Sequence, residues 1–166
     1  MFQVEITKDI FDSAVDRAKS LGELNNSITH GQGNLAGYIG EELCKRWMFG
    51  EIVDTYDYDL VVQNIKYDVK TKRCTSKSKP FYDCSIAKFN TRQRCDRYVF
   101  VRVLFKDGKF PGQAWILGEK DKTEYFNQAR YLRKGQIDPA NNFVVKADCY
   151  NMAIKNLDPI DMVKNA

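Results

Sequence analysis

The sequence has few of the residues from which zinc sites and thiol-based active sites are built. It contains a single histidine, His30, and its five cysteines, at positions 44, 74, 84, 95 and 149, include no CxxC pair. Structural zinc usually takes its ligands from close pairs of Cys or His, so this spacing argues against a zinc site. A cysteine nucleophile would need a histidine base, and His30 is the sole candidate. We therefore expect buried, reduced and unreactive thiols.

Long apolar runs are missing as well. No stretch approaches the roughly eighteen consecutive apolar residues that suggest a membrane-spanning helix. Residues 1–6 lack the basic start and the apolar run of a secretory signal. The 166 residues, 43% hydrophobic and 29% charged, have the composition of an ordinary globular protein. The sequence accordingly predicts one domain, 1–166, located in the cytoplasm and without a membrane partner.

Charge is unevenly distributed, although the net charge is only +4. The segment 69–109 carries twelve Lys or Arg against three acids, whereas the remainder carries fourteen against nineteen. A concentrated basic segment is typical of a protein that binds a polyanion. A solvated, lysine-rich surface has the same composition, so charge alone leaves both interpretations open.

Apolar periodicity predicts two helices near the N-terminus, residues 8–21 and about 35–48. Thr7 and Gly22 are placed to begin and stop the first, and Gly50 to end the second. A β-hairpin follows, with strands 58–62 and 65–71 and a turn at Gln63-Asn64. The remaining predicted elements are strands at 98–105, 113–117 and 143–146, a helix at 123–132 and a short helix after residue 159.

The hairpin brings two carboxylates together. A two-residue turn at 63–64 sets Asp59 directly across from Asp68, with Cβ atoms roughly 5 Å apart. Like charges at this distance destabilise a hairpin unless a positive charge lies between them. Mg²⁺ fits that role, because it accepts one or two carboxylates and keeps its other positions for water and phosphate oxygens.

Lys70 lies two residues beyond Asp68 and therefore projects from the same strand face. An ammonium beside a metal-bound phosphate can orient the attacking water and offset charge in the transition state. This combination favours metal-assisted phosphodiester hydrolysis. The alternative is a surface hairpin with weak cross-strand ion pairs, each worth at most about 1 kcal/mol.

The order helix with Glu, strand with Asp, strand with Asp-x-Lys resembles the PD-(D/E)XK nuclease superfamily, which includes restriction endonucleases and Holliday-junction resolvases. The matching segments are 37–43 (GYIGEEL), 58–60 (YDL) and 67–73 (YDVKTKR). Tyr58 stands where the family name has proline. Over its whole length, the chain is also similar to small nuclease-like proteins encoded by tailed phages.

The resemblance implies an α/β fold with a restriction endonuclease-like core, in which helices flank a central mixed sheet. It implies that Glu41, Asp59, Asp68 and the Val69 carbonyl bind Mg²⁺, for which Mn²⁺ can substitute, and that Lys70 is the catalytic lysine. The implied substrate is DNA, cut by an endonuclease in the host cytoplasm if the chain is phage-encoded. A two-fold homodimer would suit the cutting of both strands.

The choice of helix acid is open between Glu41 and Glu42. Glu41 follows a glycine and precedes an apolar position by two residues, as in the family pattern. On a helical wheel it also shares its side with Gly37, Cys44 and Met48, whose smaller groups would let the helix approach the sheet. Glu42 remains a possible helper.

The basic segment supplies candidate DNA-backbone contacts, which are salt-dependent and not sequence-specific. Stacking of Tyr56, Tyr58 or Tyr82 on bases stays open. Gln93 could contact bases or phosphates, but a solvated side chain is the favoured interpretation. A catalytically inactive DNA-binding or structural protein and an RNA-directed nuclease remain alternatives. The residues expected to contact DNA are Lys72, Arg73, Lys77, Lys79, Arg92 and Arg94, with Arg97 nearby.

Overall fold

The structure is a computed structural model that describes residues 1–20, 32–53, 55–106 and 111–160, with only the backbone of 32–34. Within these ranges the elements run in the order β1 (Phe2–Glu5), α1 (Lys8–Ser20), α2 (Gln32–Met48), β2 (Glu51–Ile52), β3 (Leu60–Val62), β4 (Ile65–Cys74), β5 (Asp83–Ala87), a 3-10 turn (Lys88–Arg92), β6 (Arg97–Leu104), β7 (Gln113–Asp121), α3 (Lys122–Gln128), β8 (Arg130–Leu132), β9 (Cys149–Ala153) and a second 3-10 turn (Ile154–Asn156).

Six strands form a curled mixed sheet in the order β1-β7-β6-β4-β3-β2. Its central pair, β4 and β6, is parallel, and the other neighbours are antiparallel. A second, antiparallel sheet has the order β5-β9-β8. The chain therefore forms a mixed α/β fold, as its sequence predicts.

Two apolar cores cover the two faces of the large sheet. On one face, α1 and α2 pack through residues such as Ala14, Ile39 and Leu43 onto side chains of β4 and β6. On the other face, the small sheet and α3 pack around Tyr98 and Tyr125, whose rings make an edge contact with centroids 5.8 Å apart. The central strands are therefore buried on both faces, which explains the nearly continuous apolar run in β6.

The first two helices and the hairpin are confirmed. Helix α1 ends at Ser20, and the predicted stop at Gly22 lies outside the described residues. Helix α2 begins at Gln32, earlier than predicted, and ends at Met48. Phe49, rather than Gly50, adopts the left-handed conformation after it (φ 54°). Thr7 immediately precedes α1, and its hydroxyl donates to the Asp9 carboxylate.

The C-terminal predictions are partly wrong. The helix predicted over 123–132 is α3, which ends at Gln128 because Ala129 turns extended and Arg130–Leu132 joins the small sheet as β8. Residues 143–146 form no strand: Val144 makes one isolated bridge to Ile137 and stays 56% exposed. Strands β1 and β9 were not predicted. The helix expected after residue 159 falls largely on 161–166, outside the described residues.

None of the helices in the described ranges is long and apolar enough to cross a membrane.

Candidate active site

The candidate site lies where β3 stops covering β4. Parallel β6 pairs with β4 from Tyr67 to Cys74, whereas β3 pairs with it only from Ile65 to Tyr67. From Asp68 onward, one edge of β4 has no ladder partner within the described residues. The backbone groups of that edge are therefore available to side chains.

Asp59 occupies this edge. The Leu60–Tyr67 pair confirms the predicted hairpin register, and Gln63 and Asn64 both have positive φ (48° and 66°), as a tight turn requires. The ladder ends there, however, because the Asp59 N–H donates to the Tyr67 carbonyl. Asp59 is therefore not the paired partner of Asp68, and its carboxylate instead accepts the Val69 N–H at 2.7 Å.

Strand alternation places the other residues as predicted. Tyr67 and Val69 belong to the core under α2, so Asp68 and Lys70 project from the opposite face. Asp68 is only 2% exposed, and the Lys70 Nζ lies 2.6 Å from its Oδ2. This is a buried carboxylate with an ammonium directly beside it.

Gln93 contacts both Asp68 and Lys70. It is a site residue that the sequence analysis did not predict. Its amide nitrogen donates to Asp68 Oδ1 at 2.7 Å and to the Tyr56 carbonyl at 2.9 Å. Its amide oxygen accepts from Lys70 Nζ at 3.1 Å. Gln93 is 6% exposed and thus belongs to the site, although its sequence neighbours suggest a solvated residue. The sequence carried no signal for this contact, which spans about two dozen residues.

The electrostatics of the site centre on Asp59. Burial first, then the charge of Asp68 and then that of Glu41, raise the pKa of Asp59 to about 7. The Val69 N–H and the Lys70 charge act in the opposite direction but do not compensate. The site also places two carboxylates, Asp59 and Asp68, beside the single ammonium of Lys70.

Helix α2 reaches the site through a close approach at Gly40. A Cβ at this position would lie 1.9 Å from Thr71 Oγ1 of β4, so only glycine fits there without displacing Thr71. The expected close approach at Gly37 is wrong, because a Cβ there would meet no atom within 4 Å. The close packing against Thr71 therefore explains why position 40 is a glycine.

Both glutamates of α2 are largely buried and face α1. Glu41 Oε2 lies 2.7 Å from Arg17 Nη2, whereas Glu42 accepts from Ser13 at 3.0 Å and lies 3.6 Å from Arg17 Nη1. Glu41 is among the charges that raise the pKa of Asp59, and it also raises that of Cys44. Glu41 therefore lies electrostatically closer to the site, although α2 covers the sheet face opposite Asp68 and Lys70.

The described side chains do not form a closed metal cage. No group of three or more His, Cys, Asp or Glu among them is arranged to hold a metal ion. The oxygen ligands the chain offers are the carboxylates of Asp59 and Asp68, with Glu41 behind them. The Val69 carbonyl joins them, since it leaves β4 on the same side as the N–H that Asp59 accepts.

The predicted DNA-contact residues are divided between surfaces. Lys72 follows Asp68 and Lys70 on the same face of β4, whereas Arg73 lies on the other face with its guanidinium 4.2 Å from the Phe105 ring. Arg92 and Arg94 flank Gln93 and are exposed; Arg94 pairs with Asp57 at 2.9 Å. Lys77 and Lys79 are exposed on the segment between β4 and β5.

All five cysteines are free. Cys44, Cys84 and Cys95 are buried, but Cys74 and Cys149 are only half-buried. Burial raises the pKa of Cys84 to about 12 and that of Cys95 to about 11, so these thiols are protonated at neutral pH and poor nucleophiles. His30 lies outside the described residues.

Comparison with family models and with curated proteins returned no match.

Proposed function

We propose that this protein is a Mg²⁺-dependent nuclease that hydrolyses DNA phosphodiester bonds, built on a restriction endonuclease-like, PD-(D/E)XK core. The observation that carries the proposal is the cluster at the open edge of β4. Asp59 and Asp68 lie there with Lys70, two carboxylates beside a single ammonium.

The residues present fit Mg²⁺. The pKa of Asp59 is raised first by burial and then by the charge of Asp68, and a divalent cation beside Asp59 would favour its charged form. Mg²⁺ is usually held by only one or two carboxylates and completes its shell with water and substrate phosphate, so a closed protein cage is not required. Asp59, Asp68 and the Val69 carbonyl would hold the ion, and Mn²⁺ would satisfy the same oxygen ligands. When bound, it would supply positive charge to the phosphoryl oxygens.

Lys70 is the residue of this chain best placed to act on the reacting atoms. Asp68 and Gln93 fix its ammonium from two sides, so its position is set before substrate binds. A fixed ammonium orients the attacking water and offsets charge as the phosphodiester bond breaks. Asp68 thus has two roles, as a metal ligand and as a positioning group for Lys70.

Glu41 can bind the metal ion only if its ion pair with Arg17 breaks. The pair is largely buried, with side chains 12% and 17% exposed, so separating the partners without compensation is costly. We therefore assign Glu41 to the outer part of the site, where it contributes negative charge, and leave Glu42 as structural support for α1.

DNA is proposed as the substrate because exposed cations adjoin the site residues along the chain. Lys72 continues the face of Lys70, and Arg92 and Arg94 flank Gln93. Exposed cations in this arrangement would bind backbone phosphates and position the strand. Cleavage of both duplex strands would suit a two-fold homodimer, which measurement of the molar mass in solution, alone and with DNA, would test.

The experiment is a substrate panel. Supercoiled, linear, single-stranded and branched DNA, together with RNA, are incubated with protein in Mg²⁺, Mn²⁺ or EDTA. We expect metal-dependent cleavage of DNA, including circular DNA, that is lost in Asp68→Ala and Lys70→Ala. The absence of metal-dependent cleavage, or cleavage unchanged by both substitutions, would reject the enzyme; cleavage of RNA alone would reject DNA as substrate.

A further inference from the structure

A second feature of the molecule lies beside the candidate active site. A cleft of about 570 Å³ opens between the small sheet, the segment 140–147 and the outer end of β4. Three aromatic rings and three cations line it: Phe81, Tyr82, Phe143, Lys72, Arg102 and Lys146. This volume lies in the range of clefts that bind small organic ligands.

Two of the three rings are largely exposed. Phe81 is 65% exposed and Phe143 is 53% exposed, so neither is held in place by the apolar cores. Each ring has a cation beside it: Lys79 lies 5.7 Å from the Phe81 ring, Arg102 lies 5.1 Å from Tyr82, and Lys146 lies 6.0 Å from Phe143. Exposed aromatic faces interleaved with cations are typical of surfaces that bind single-stranded nucleic acid.

The charges of the cleft favour an anion. Three cations face one carboxylate, Asp83, which is already paired with Arg130 at 3.0 Å. Burial is the main cause that lowers the pKa of Lys72, and the charge of Arg102 is the second. The two cations therefore repel each other, and a phosphate between them would remove that repulsion.

The cleft adjoins the candidate active site. Lys70 lines a second space of about 260 Å³, and Lys72, Asp83, Ser85 and Arg102 line both spaces. Lys70 and Lys72 are two residues apart on one strand face, which corresponds to about 7 Å. One nucleic-acid strand can therefore occupy the cleft and the active site together.

We infer that this cleft binds an unpaired nucleotide of the substrate strand, with its base against Phe143 and its phosphate at Lys72 and Arg102. The inference rests on the proposed function for the identity of the substrate. In a duplex the faces of the bases are covered by their neighbours, so only a single-stranded segment offers a free face to this ring. The enzyme would then act on DNA that contains such a segment.

The test measures binding without cleavage. Fluorescence anisotropy in EDTA compares a labelled oligothymidylate with a blunt duplex of equal length, using wild type, Phe143→Ala and the control Phe89→Ala. Phe89 is 68% exposed and does not line the cleft. We expect tighter binding of the single strand, and a loss of about 5- to 100-fold in Phe143→Ala but not in Phe89→Ala. Because Phe143 is exposed, its truncation leaves the fold intact, which circular dichroism verifies.

Equal affinity for single strand and duplex would overturn the inference, and so would a Phe143→Ala protein that binds like Phe89→Ala. The experiment needs no metal and no cleavage. Single-strand binding that depends on Phe143 supports the inference even where the substrate panel shows no hydrolysis. Hydrolysis with no effect of Phe143→Ala on strand binding overturns the inference alone.

Discussion

Replacement of Asp59 by Asn should stabilise the metal-free protein at alkaline pH. Asn keeps an oxygen that can accept the Val69 N–H, but it removes the charge that burial, Asp68 and Glu41 disfavour. The pKa of Asp59 is about 7 in the folded chain and 3.8 in the unfolded reference. A carboxyl whose pKa is raised by folding destabilises the folded state progressively as pH rises from about 4 to about 7.

The size of the effect follows from this pKa difference. About three pKa units at about 1.4 kcal/mol each give an upper bound of about 4 kcal/mol. Asp59 is partly exposed, so solvent screening reduces the observed value to roughly 2–4 kcal/mol. The stability gap between Asp59→Asn and wild type should thus be small at pH 4 and reach its plateau above pH 7.

The assay is urea unfolding of both proteins in EDTA at several pH values, repeated with Mg²⁺. Mg²⁺ should stabilise wild type more than the variant, because the variant lacks one ligand charge. A variant that is less stable than wild type at pH 8, or a gap that does not change with pH, would refute this account of Asp59.

Three further predictions concern the packing, the turn and the positioning of Lys70. Gly40→Val should lower the unfolding free energy by about 1–3 kcal/mol through collision with Thr71; unchanged urea unfolding would contradict the close approach. The double substitution Gln63→Asn and Asn64→Gly should raise the thermal midpoint by the equivalent of about 1 kcal/mol, because both positions have positive φ; no rise would argue against a tight turn. Gln93→Ala should lower kcat of DNA cleavage by about 10- to 100-fold with little change in KM, whereas a purely structural role would leave kcat unchanged in the folded variant.

Local patterns predicted the part of the site that local geometry determines. The turn at Gln63-Asn64 and strand alternation suffice to place Asp68 and Lys70 on one face near Asp59, and the structure agrees. The register alone could not reveal that the ladder stops at Leu60. That end depends on the Asp59 N–H, which pairs with the Tyr67 carbonyl instead of extending the ladder.

Contacts between distant segments were not predictable in the same way. Gln93 reaches Asp68 because the 3-10 turn before it leads into β6, whose parallel pairing with β4 is a tertiary feature. The helix predicted over 123–132 failed for a related reason. Its last residues have helical periodicity, but Leu132 is buried as part of β8, so pairing in the small sheet overrides local preference.

The most direct test of the proposed chemistry is the single-turnover rate of DNA cleavage at saturating Mg²⁺ in Lys70→Met. Methionine keeps much of the apolar length of the side chain and removes the ammonium. The matched control is Lys134→Met, an exposed lysine outside both the site and the cleft. We predict a wild-type rate for the control and a loss of about 10²- to 10⁴-fold for Lys70→Met, with DNA binding retained. Cleavage by Lys70→Met at the wild-type rate would contradict the proposed role of Lys70.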